Sequence, residues 1–458
     1  MRKVRLVSVL LILVLLAAMV AACGQQTSSS TTAAATTAAA AATTQADATE
    51  PASVEEQEED PDVLVGDVKM NPNKGADATM THWSGFSGAD RPMLEEIISN
   101  YNMDDSTTGQ VQLSIMTWAI LDQKLTASIA TGGGPDFFVY GPEIAGKYFD
   151  MGALIDLKPY FDSGALDYDI YPQRLMEVWT LEDEIIAAPM CVFSSALYYN
   201  IDMLEEAGYS APPSTMDELW EMARALTITG PNGIEQYGLA MTYDIAWQPF
   251  IWNAGFEPVD LETNKFTMNT PEAAAYMQSL ADLVLIDEIS PALPESGNLF
   301  RAKKAAMYIT GPWETTANDE AGMNYDVAPV PGGPAGDSQP GHPLFFIPLA
   351  NSNKLDLFVE FESYWSTVES QRIWAKTGYP PIRVDMGNDS VLEGTWAGKF
   401  AKSAELFNVR NFATHPNAGR IFDEVMQNAW QQMVLGDKSA ADALAEAESL
   451  INGYLTDY

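Results

Sequence analysis

An uncharged apolar run that ends just before a single cysteine limits which part of this chain can fold. Three basic residues precede Leu6–Val20, and two alanines then lead to Cys23. This order is typical of a secretory signal peptide, here residues 1–22, with a bacterial lipobox at its end. The run is shorter than the roughly 20 residues that a membrane span needs. The sequence therefore predicts a lipoprotein whose Cys23 carries diacylglycerol and anchors it to the outer face of the cell membrane.

The segment that follows, residues 23–76, is predicted to be a flexible linker. Gln25–Thr44 consists almost entirely of Ser, Thr, Ala and Gln, and Glu50–Asp62 is dominated by carboxylates. Such segments bury too little apolar surface to offset the entropy of ordering. The Ser and Thr side chains could carry glycans or form a bare spacer. The folded part is expected from residue 77 to 458, which is long enough for two lobes.

Charge and cysteine content exclude several classes of partner. The formal net charge of −39 argues against nucleic acid, which is bound through cationic contacts to phosphate. Cys23 and Cys191 are the only cysteines, so lipidation of Cys23 leaves no intramolecular disulfide. The sequence has no Cys/His cluster and no calcium-loop pattern, and it predicts neither a metal nor a cofactor.

Strand and helix patterns alternate along the folded part, which predicts an α/β architecture. Ser214 or Thr215 is expected to cap a helix, and three glycines at 132–134 mark a turn between a helix and a strand, not a phosphate-binding loop. Strands are expected at 111–116, 136–140 and 306–309, and helices at 121–130, 203–208, 271–286, 354–370, 417–435 and 440–455.

An ordered set of short motifs covers nearly all of the folded part. The motifs are Thr81-His-Trp-Ser84, Gly134-Pro-Asp-Phe-Phe-Val-Tyr140, 148–157, 188–190, 197–204, 213–219, 300–307, Gly311-Pro-Trp313 and 325–333. Taken together, they resemble the extracellular solute-binding proteins of carbohydrate ABC importers, the group that includes maltose-binding protein. Lys303 departs from the family pattern, which usually has Gly in that turn.

The resemblance implies a type II-like periplasmic-binding-protein fold, in which two α/β lobes close on a ligand cleft about a hinge of crossing segments. The N-terminal lobe is expected to comprise 77–191 with 341–376, and the C-terminal lobe 192–340 with 377–458. The crossings are expected near 191–194, 334–342 and 376–383.

Sugars are held by stacking on aromatic rings and by hydrogen bonds from carboxylates, amides and Arg, which gives a set of candidate ligand contacts. The resemblance places Trp313 at a position that stacks a sugar ring. Trp83 and Ser84 follow the first strand. Tyr140 matches a frequent aromatic position. Glu143 matches an acidic contact of maltose-binding protein, but Ile144 replaces that protein's neighbouring Arg, which makes the same sugar doubtful.

Further candidates come from the later segments. At most one of Trp247 and Trp252 is expected to line the cleft, because residues five apart do not share a helix face. Asn253 follows them. Ser194 and Ser195 follow the first crossing. Tyr379 and Arg383 lie at the third, where an interlobe or surface ion pair is the other interpretation of Arg383. His82 is a weaker candidate, and His342 and His415 are interpreted as loop residues.

The sequence thus predicts a substrate-binding component of an ABC importer, not an enzyme. It would capture a sugar or oligosaccharide as a monomer and deliver it to membrane permease subunits. A receptor for a polyamine, a peptide or a chelated metal is the first alternative. An extracellular glycoside hydrolase is the second; it would need a general acid and a partner carboxylate across a cleft, and no nucleophile motif or triad His is present.

Overall fold

In the computed structural model, two β-sheets organise the described residues, which are 60–241, 244–292, 296–337, 339–404, 407–408 and 415–456. Cys23, the signal peptide and most of the predicted linker lie outside these ranges. The strands are β1 (Leu64–Val65), β2 (Thr79–Ser84), β3 (Gln110–Ile115), β4 (Phe137–Tyr140), β5 (Thr180–Leu181), β6 (Glu184–Ile185), β7 (Ala188–Ser194), β8 (Ala196–Asn200), β9 (Ile228–Gly230), β10 (Gly233–Ala240), β11 (Val259–Asp260), β12 (Lys265–Phe266), β13 (Ala305–Thr310), β14 (Tyr325–Pro329), β15 (Gln339–Pro348) and β16 (Phe407–Asn408).

Helices flank both sheets, and short 3-10 turns connect many of the elements. The α-helices are α1 (Arg91–Met103), α2 (Trp118–Ala130), α3 (Ala145–Asp150), α4 (Lys158–Asp162), α5 (Gln173–Val178), α6 (Ile201–Glu206), α7 (Met216–Leu226), α8 (Gln248–Asn253), α9 (Pro271–Leu285), α10 (Ser296–Arg301), α11 (Thr315–Glu320), α12 (Leu355–Trp365), α13 (Val368–Trp374), α14 (Trp396–Ala404), α15 (Gln427–Val434) and α16 (Ala440–Thr456). A π-helical segment, Arg420–Met426, precedes α15. No helix in the described ranges combines the length and apolarity that a membrane crossing requires.

The first sheet has the strand order β1-β3-β2-β4-β15-β16, and β7 also pairs with β15. Strands β3, β2 and β4 run parallel, whereas β15 is antiparallel to both β4 and β7. Buried side chains on the two faces form separate apolar clusters, one of which includes Leu94, Phe137 and Trp365. Because β2, β3 and β4 are parallel, their C-terminal ends meet at one edge of the sheet.

The second sheet has the order β14-β8-β13-β10-β9, in which β10 and β13 are parallel and β8 is antiparallel to both β13 and β14. Its larger core cluster contains Trp247, Phe250 and Trp430, and it extends to Leu444 and Leu455 of the C-terminal helix. Thr215 caps α7 through a complete capping box with Glu218, as the sequence predicted.

Up to α14, the chain passes between the two sheets at three places, and the two-residue strand β16 later pairs with the start of β15. Ser195 alone separates β7 of the first sheet from β8 of the second, and residues 330–338 separate β14 from β15. Tyr379 and Ile382 still pack in the core of the first sheet, whereas Phe400 packs with the second. Two segments of the lobe built on the first sheet therefore end at about Ser194 and Ile382. These ends lie a few residues beyond the predicted lobe boundaries at 191 and 376.

Ordered structure begins before residue 77, which corrects the predicted end of the linker. Strand β1 pairs antiparallel with β3, and the amide of Asn71 donates to the side-chain oxygen of Gln110 at 2.9 Å. The Lys74 ammonium donates to Thr107 Oγ1 at 2.7 Å and to the carbonyl of Gly109 at 2.9 Å. Edge pairing and these hydrogen bonds fix residues that were predicted to belong to the linker.

One predicted helix also differs, and the turn in which Lys303 replaces Gly has a left-handed backbone. The helix predicted at 354–370 is two helices, because Thr367 accepts a hydrogen bond from the Ser370 amide and caps a new helix after a break at Ser366. Lys303, at the family's Gly position, adopts a left-handed φ of 55°. The turn therefore keeps the geometry that favours glycine, and Lys303 bears the strain.

Candidate functional site

A cavity of about 480 Å³ lies where the C-terminal ends of β2 and β4 approach the loop that follows β13. Its walls come from elements of both sheets and from β15, which runs past its floor through residues 341–344. Seven of its 19 lining residues are aromatic. The Phe, Tyr and Trp rings that line it belong to Phe86, Trp118, Tyr140, Phe193, Trp313 and Tyr379, and the His342 imidazole also lines it.

The aromatic rings support one another edge to face. Trp118 stands at right angles to Tyr140, with ring centroids 5.7 Å apart, and it also meets Phe86 at 5.5 Å. On the opposite side, the Trp313 ring stands at 89° to Phe193 at 5.0 Å. Trp118 remains 37% exposed, which leaves ring surface available to a ligand. Such edge-to-face packing fixes ring positions while keeping their faces accessible.

Glycines allow the cavity side chains to fold back over the backbone. A β-carbon at Gly311 would lie 2.0 Å from the Trp313 ring, and one at Gly85 would lie 2.3 Å from the Trp118 ring. At Gly141 it would lie 2.2 Å from the Glu143 carboxylate. Both rings and the carboxylate thus occupy space that any other residue would fill.

The Gly311-Pro-Trp313 loop is held from behind by a buried tyrosine. Tyr198 is inaccessible to solvent, and its hydroxyl donates to the carbonyl of Gly311 at 2.7 Å. The Thr315 hydroxyl donates to the next carbonyl, that of Pro312, at 2.8 Å. These two bonds fix the backbone that carries the Trp313 ring.

Carboxylates from three elements also line the cavity: Asp90 before α1, Glu143 after β4 and Asp423 in the π-helical segment. Burial raises the pKa of Asp90 to about 6, because the charged form is poorly solvated there. Burial also raises the pKa of Tyr140, and the charges of Glu143, Asp122 and Asp423 add to that shift.

Four of the predicted contacts are brought together in this cavity: Tyr140, Glu143, Trp313 and Tyr379. Tyr379 is almost fully buried, and its hydroxyl lies 3.5 Å from an oxygen of Asp90. Burial, followed by the charge of Asp90, raises its pKa, so this hydroxyl stays protonated.

The other candidates of the first sheet lie outside the cavity lining. Strand β2 alternates between half-buried and fully buried residues, which places Trp83 on the half-buried face beside an apolar cluster and Ser84 on the buried face. Ser194 and Ser195 are completely buried, and neither hydroxyl has a hydrogen-bond partner. His82 stacks on Phe137 at 4.3 Å, and burial lowers its pKa to about 3.

The candidates between Trp247 and Asn253 belong to the core of the second sheet. Trp247 ends a 3-10 turn and Trp252 lies in α8, and this junction lets both rings stack on Phe422, at 5.7 and 5.5 Å. Neither Trp lines the cavity, and the buried Asn253 amide donates to the Pro331 carbonyl at 3.2 Å.

Arg383 also lies away from the cavity. Its guanidinium pairs with Asp385 at 2.6 Å and donates to the Ser366 carbonyl at 2.8 Å, as in the ion-pair interpretation.

Sequence reasoning missed four cavity rings and two cavity carboxylates: Phe86, Trp118, Phe193, His342, Asp90 and Asp423. Trp118 follows the end of β3 closely, so the strand-end argument applied to Trp83 would also have found it. His342 was interpreted as a loop residue because it precedes a proline, but it lies in β15, stacked on Phe193 at 5.2 Å.

The fold and the cavity define a class: two-lobed α/β proteins that hold a ligand between elements of both lobes. Comparison with known proteins identifies the family. The model of the bacterial extracellular solute-binding proteins matches residues 96–402, about two thirds of the chain. A binding protein of Brucella abortus (strain 2308) is 27% identical over 392 residues, which is 81% of this chain and 92% of that protein.

Solved structures give the same fold. The ABC substrate-binding protein of Listeria monocytogenes, in complex with cycloalternan, superposes with a TM-score of 0.72 at 19% identity, over 82% of this chain and 99% of that one. The GacH receptor of Streptomyces glaucescens, solved unliganded and with acarbose, gives 0.72 at 21% identity over 83% and 99%. The predicted family and two-lobed fold are confirmed: this chain belongs to the bacterial extracellular solute-binding proteins. The family works outside the cytoplasm and is defined by ligand binding, not by catalysis.

Proposed function

We propose that this protein is the substrate-binding component of an ABC importer and captures a sugar or oligosaccharide for delivery to membrane permease subunits. The observation that carries the proposal is the cavity between the two sheets, with six Phe, Tyr and Trp rings and three carboxylates in its wall. Aromatic faces stack on the C–H faces of sugars, and carboxylates accept hydrogen bonds from hydroxyl groups. The Listeria and Streptomyces structures support the ligand class, since their bound molecules are cycloalternan and acarbose.

The ligand contacts we propose are those that line the cavity: Tyr140, Glu143, Trp313 and Tyr379 from the sequence, with Phe86, Trp118 and Asp90 added. Trp313 is the main contact that we propose from the second sheet, and Trp118 and Tyr140 are the main contacts from the first. A ligand held between them binds the closed arrangement of the lobes better than an open one, and only that difference drives closure.

The proposed lobes are those predicted from the sequence, 77–191 with 341–376 and 192–340 with 377–458, adjusted by the core contacts that extend to Ser194 and Ile382. Both lobe tips must be free to contact a permease, and we therefore propose a monomer. The anchor we propose is diacylglycerol on Cys23 after removal of residues 1–22, on the evidence of the lipobox alone.

The alternatives differ in the chemistry that they require. A polyamine receptor is favoured by one observation, the three carboxylates that face the cavity, and it is kept as a second candidate. A glycoside hydrolase would need a carboxylate that stays protonated near neutral pH opposite a second one. The cavity carries Glu143 and Asp423 as well as Asp90 with its raised pKa, so carboxylates alone do not decide between the two. We propose a binding protein without catalytic activity because the matched family consists of solute-binding proteins.

A ligand screen tests the proposal directly. Neutral oligosaccharides, uronates, amino sugars and polyamines are each added to the protein, and the melting temperature is followed, since a ligand that binds the native state raises it. A sugar that shifts melting and is recovered unchanged supports the proposal. If polyamines alone raise the melting temperature, the proposal that the ligand is a sugar is wrong. If cleaved glycan is released, the proposal that the protein is a receptor is wrong.

Small-angle scattering on protein that lacks residues 1–59 tests closure. The right ligand should reduce the radius of gyration, because it draws the two lobes together. Tight binding without this reduction would mean that the cavity binds its ligand as a rigid pocket.

A further inference from the structure

Asp90 is a buried carboxyl group in the wall of the proposed binding cavity. It is only 6% exposed, and although it directly precedes α1, where Asp often caps a helix, its side chain makes no capping hydrogen bond. Its Oδ1 is inaccessible to solvent and has no hydrogen-bond partner. Its Oδ2 lies 3.5 Å from the Tyr379 hydroxyl, the limit of a hydrogen bond. A carboxyl group in this position is costly in its charged form and much less so as the neutral acid.

Among the described residues, no cation pairs with Asp90. The basic side chains of α1 itself, of α13, which packs against α1, and of the turn that follows α13 are paired with other carboxylates. These pairs are Arg91 with Glu95 at 2.7 Å, Arg372 with Asp389 at 2.9 Å and Lys376 with Glu96 at 3.7 Å. The charge of an ionised Asp90 is therefore not offset by an ion pair.

The titratable groups beside Asp90 are themselves uncharged. They are the Tyr379 hydroxyl and the Cys191 thiol, and burial raises the pKa of both, so that they stay protonated. Burial also raises the pKa of Asp90 to about 6, although the Tyr379 hydroxyl and nearby backbone amides oppose the shift. The cavity wall contains four further titratable residues, whose effects an experiment must separate from that of Asp90: Tyr140, Glu143, His342 and Asp423.

A ligand in the cavity removes the last contact of Asp90 with water. The small exposed part of Asp90 belongs to the cavity wall, and a sugar that fills the cavity displaces the water there. Because Oδ1 is sealed from solvent, a hydroxyl group of the sugar does not reach it. The charged form thus loses solvation without gaining a donor at this oxygen, which favours the neutral acid further.

We propose, on the basis of the proposed sugar-binding function, that capture of a neutral sugar is coupled to proton uptake by Asp90, so that the loaded protein holds this side chain as the neutral acid. The proton comes from solvent, and no bond of the sugar is broken. Affinity should be highest near pH 5, where Asp90 is already protonated. It should fall as the pH rises above 6, because binding must then take up a proton.

Neutral saccharides of different linkage serve as probes: maltotriose, cellotriose, mannotriose and the N-acetylglucosamine trimer. Calorimetry between pH 5 and pH 8 gives the Kd of each probe that binds, and measurements in two buffers of different ionisation enthalpy count the protons. We expect the Kd to be at least tenfold larger at pH 8 than at pH 5. A tenfold change is one pKa unit and corresponds to uptake of about half a proton at pH 6.5.

Variants assign the proton to Asp90. Asp90→Asn keeps the shape of the side chain but cannot ionise, and it should bind the same saccharide equally well at pH 5 and pH 8 without proton uptake. Asp90→Ser, which is also uncharged, covers the case in which the asparagine variant does not fold. Asp217→Asn is the control, because it removes an exposed carboxylate of α7 that does not line the cavity, and it should behave as wild type. Glu143→Gln should retain the proton uptake.

The outcomes separate this inference from the proposed function. A saccharide that binds with the same Kd from pH 5 to pH 8, or that releases protons, overturns the inference and leaves the sugar receptor standing. Release would mean that a sugar hydroxyl donates to the ionised carboxylate. Proton uptake that persists in both Asp90 variants, or that is lost in Glu143→Gln, places the proton on another residue and also overturns the inference. Failure of every neutral saccharide in the melting screen would overturn the proposed function, and the inference with it.

Discussion

Trp313 and Trp247 were both candidate ligand contacts in the sequence, and the fold places them in opposite environments. Trp313 is half-buried in the cavity wall and meets Phe193 edge to face. Trp247 is completely buried between Phe422 and Trp430, and its ring nitrogen donates to Gln427 at 2.9 Å. An aromatic residue near a strand end is therefore weak evidence for a binding site. The difference lies in the surroundings of each ring: Gly311 opens space beside Trp313, while Trp247 ends a 3-10 turn, Asp244–Trp247, and packs in the core cluster of the second sheet.

The contrast between Trp247 as a core residue and Trp313 as a site residue is tested most directly by truncating Trp247. Trp247→Ala should lower the free energy of unfolding by about 3–5 kcal/mol, because it leaves a large cavity in a close-packed core. Urea denaturation measures the loss. A variant that keeps wild-type stability but no longer binds ligand would place Trp247 in the site and remove the contrast.

Asp90→Asn tests whether burial of an ionised carboxylate in the cavity wall lowers the stability of the protein. The pKa of Asp90 is raised from 3.8 to about 6, so its stabilising effect is complete below pH 3.8 and is lost as the pH rises through 6. The asparagine variant should therefore be more stable than wild type at pH 7 by up to about 3 kcal/mol, and the gain should vanish near pH 4. Unfolding free energies measured across this range check the sign. A variant that is less stable at pH 7 would mean that the ionised carboxylate is satisfied in the native state.

Trp313→Ala is the counterpart of the Trp247 truncation. Loss of the ring should weaken sugar binding by about 1–3 kcal/mol, while the melting temperature without ligand changes little, because one side of the ring faces the cavity. Calorimetry and thermal melting separate the two effects. A large loss of stability with unchanged affinity would make Trp313 a core residue like Trp247.

The sequence allowed much of the fold to be predicted, since most elements have local signals. The capping box at Thr215 and the proline at the start of α9 mark helix starts, and alternation marks β3. The break at Ser366 and the π-helical segment at 420–426 were missed, because each interrupts a continuous apolar pattern.

The candidate site was only partly predictable. Tyr140 and Trp313 were found from family motifs, whereas Phe86, Asp90 and His342 reach the cavity through the packing of distant segments. His342 faces Phe193 only because β15 pairs with β7, a contact between strands almost 150 residues apart. Residue type and local spacing do not encode such a pairing, and burial of Ser194 and Ser195 follows from the same strands.

The smallest effect is expected from a residue that positions Trp313 without reaching the cavity. Tyr198→Phe removes the hydroxyl that donates to Gly311 and leaves a buried carbonyl without that donor, which should cost about 1 kcal/mol of stability. Because the loop that carries Trp313 is then less fixed, Tyr198→Phe should also weaken sugar binding severalfold. When Tyr198→Phe is added to Trp313→Ala, the affinity should not fall further, since the ring that Tyr198 positions is already absent. Tyr199→Phe is the matched control, because neighbouring residues of β8 point to opposite faces and Tyr199 packs on the other core cluster. Equal losses of affinity from Tyr198→Phe in the wild-type and Trp313→Ala backgrounds would show that Tyr198 acts on the fold as a whole and not through the Trp313 ring.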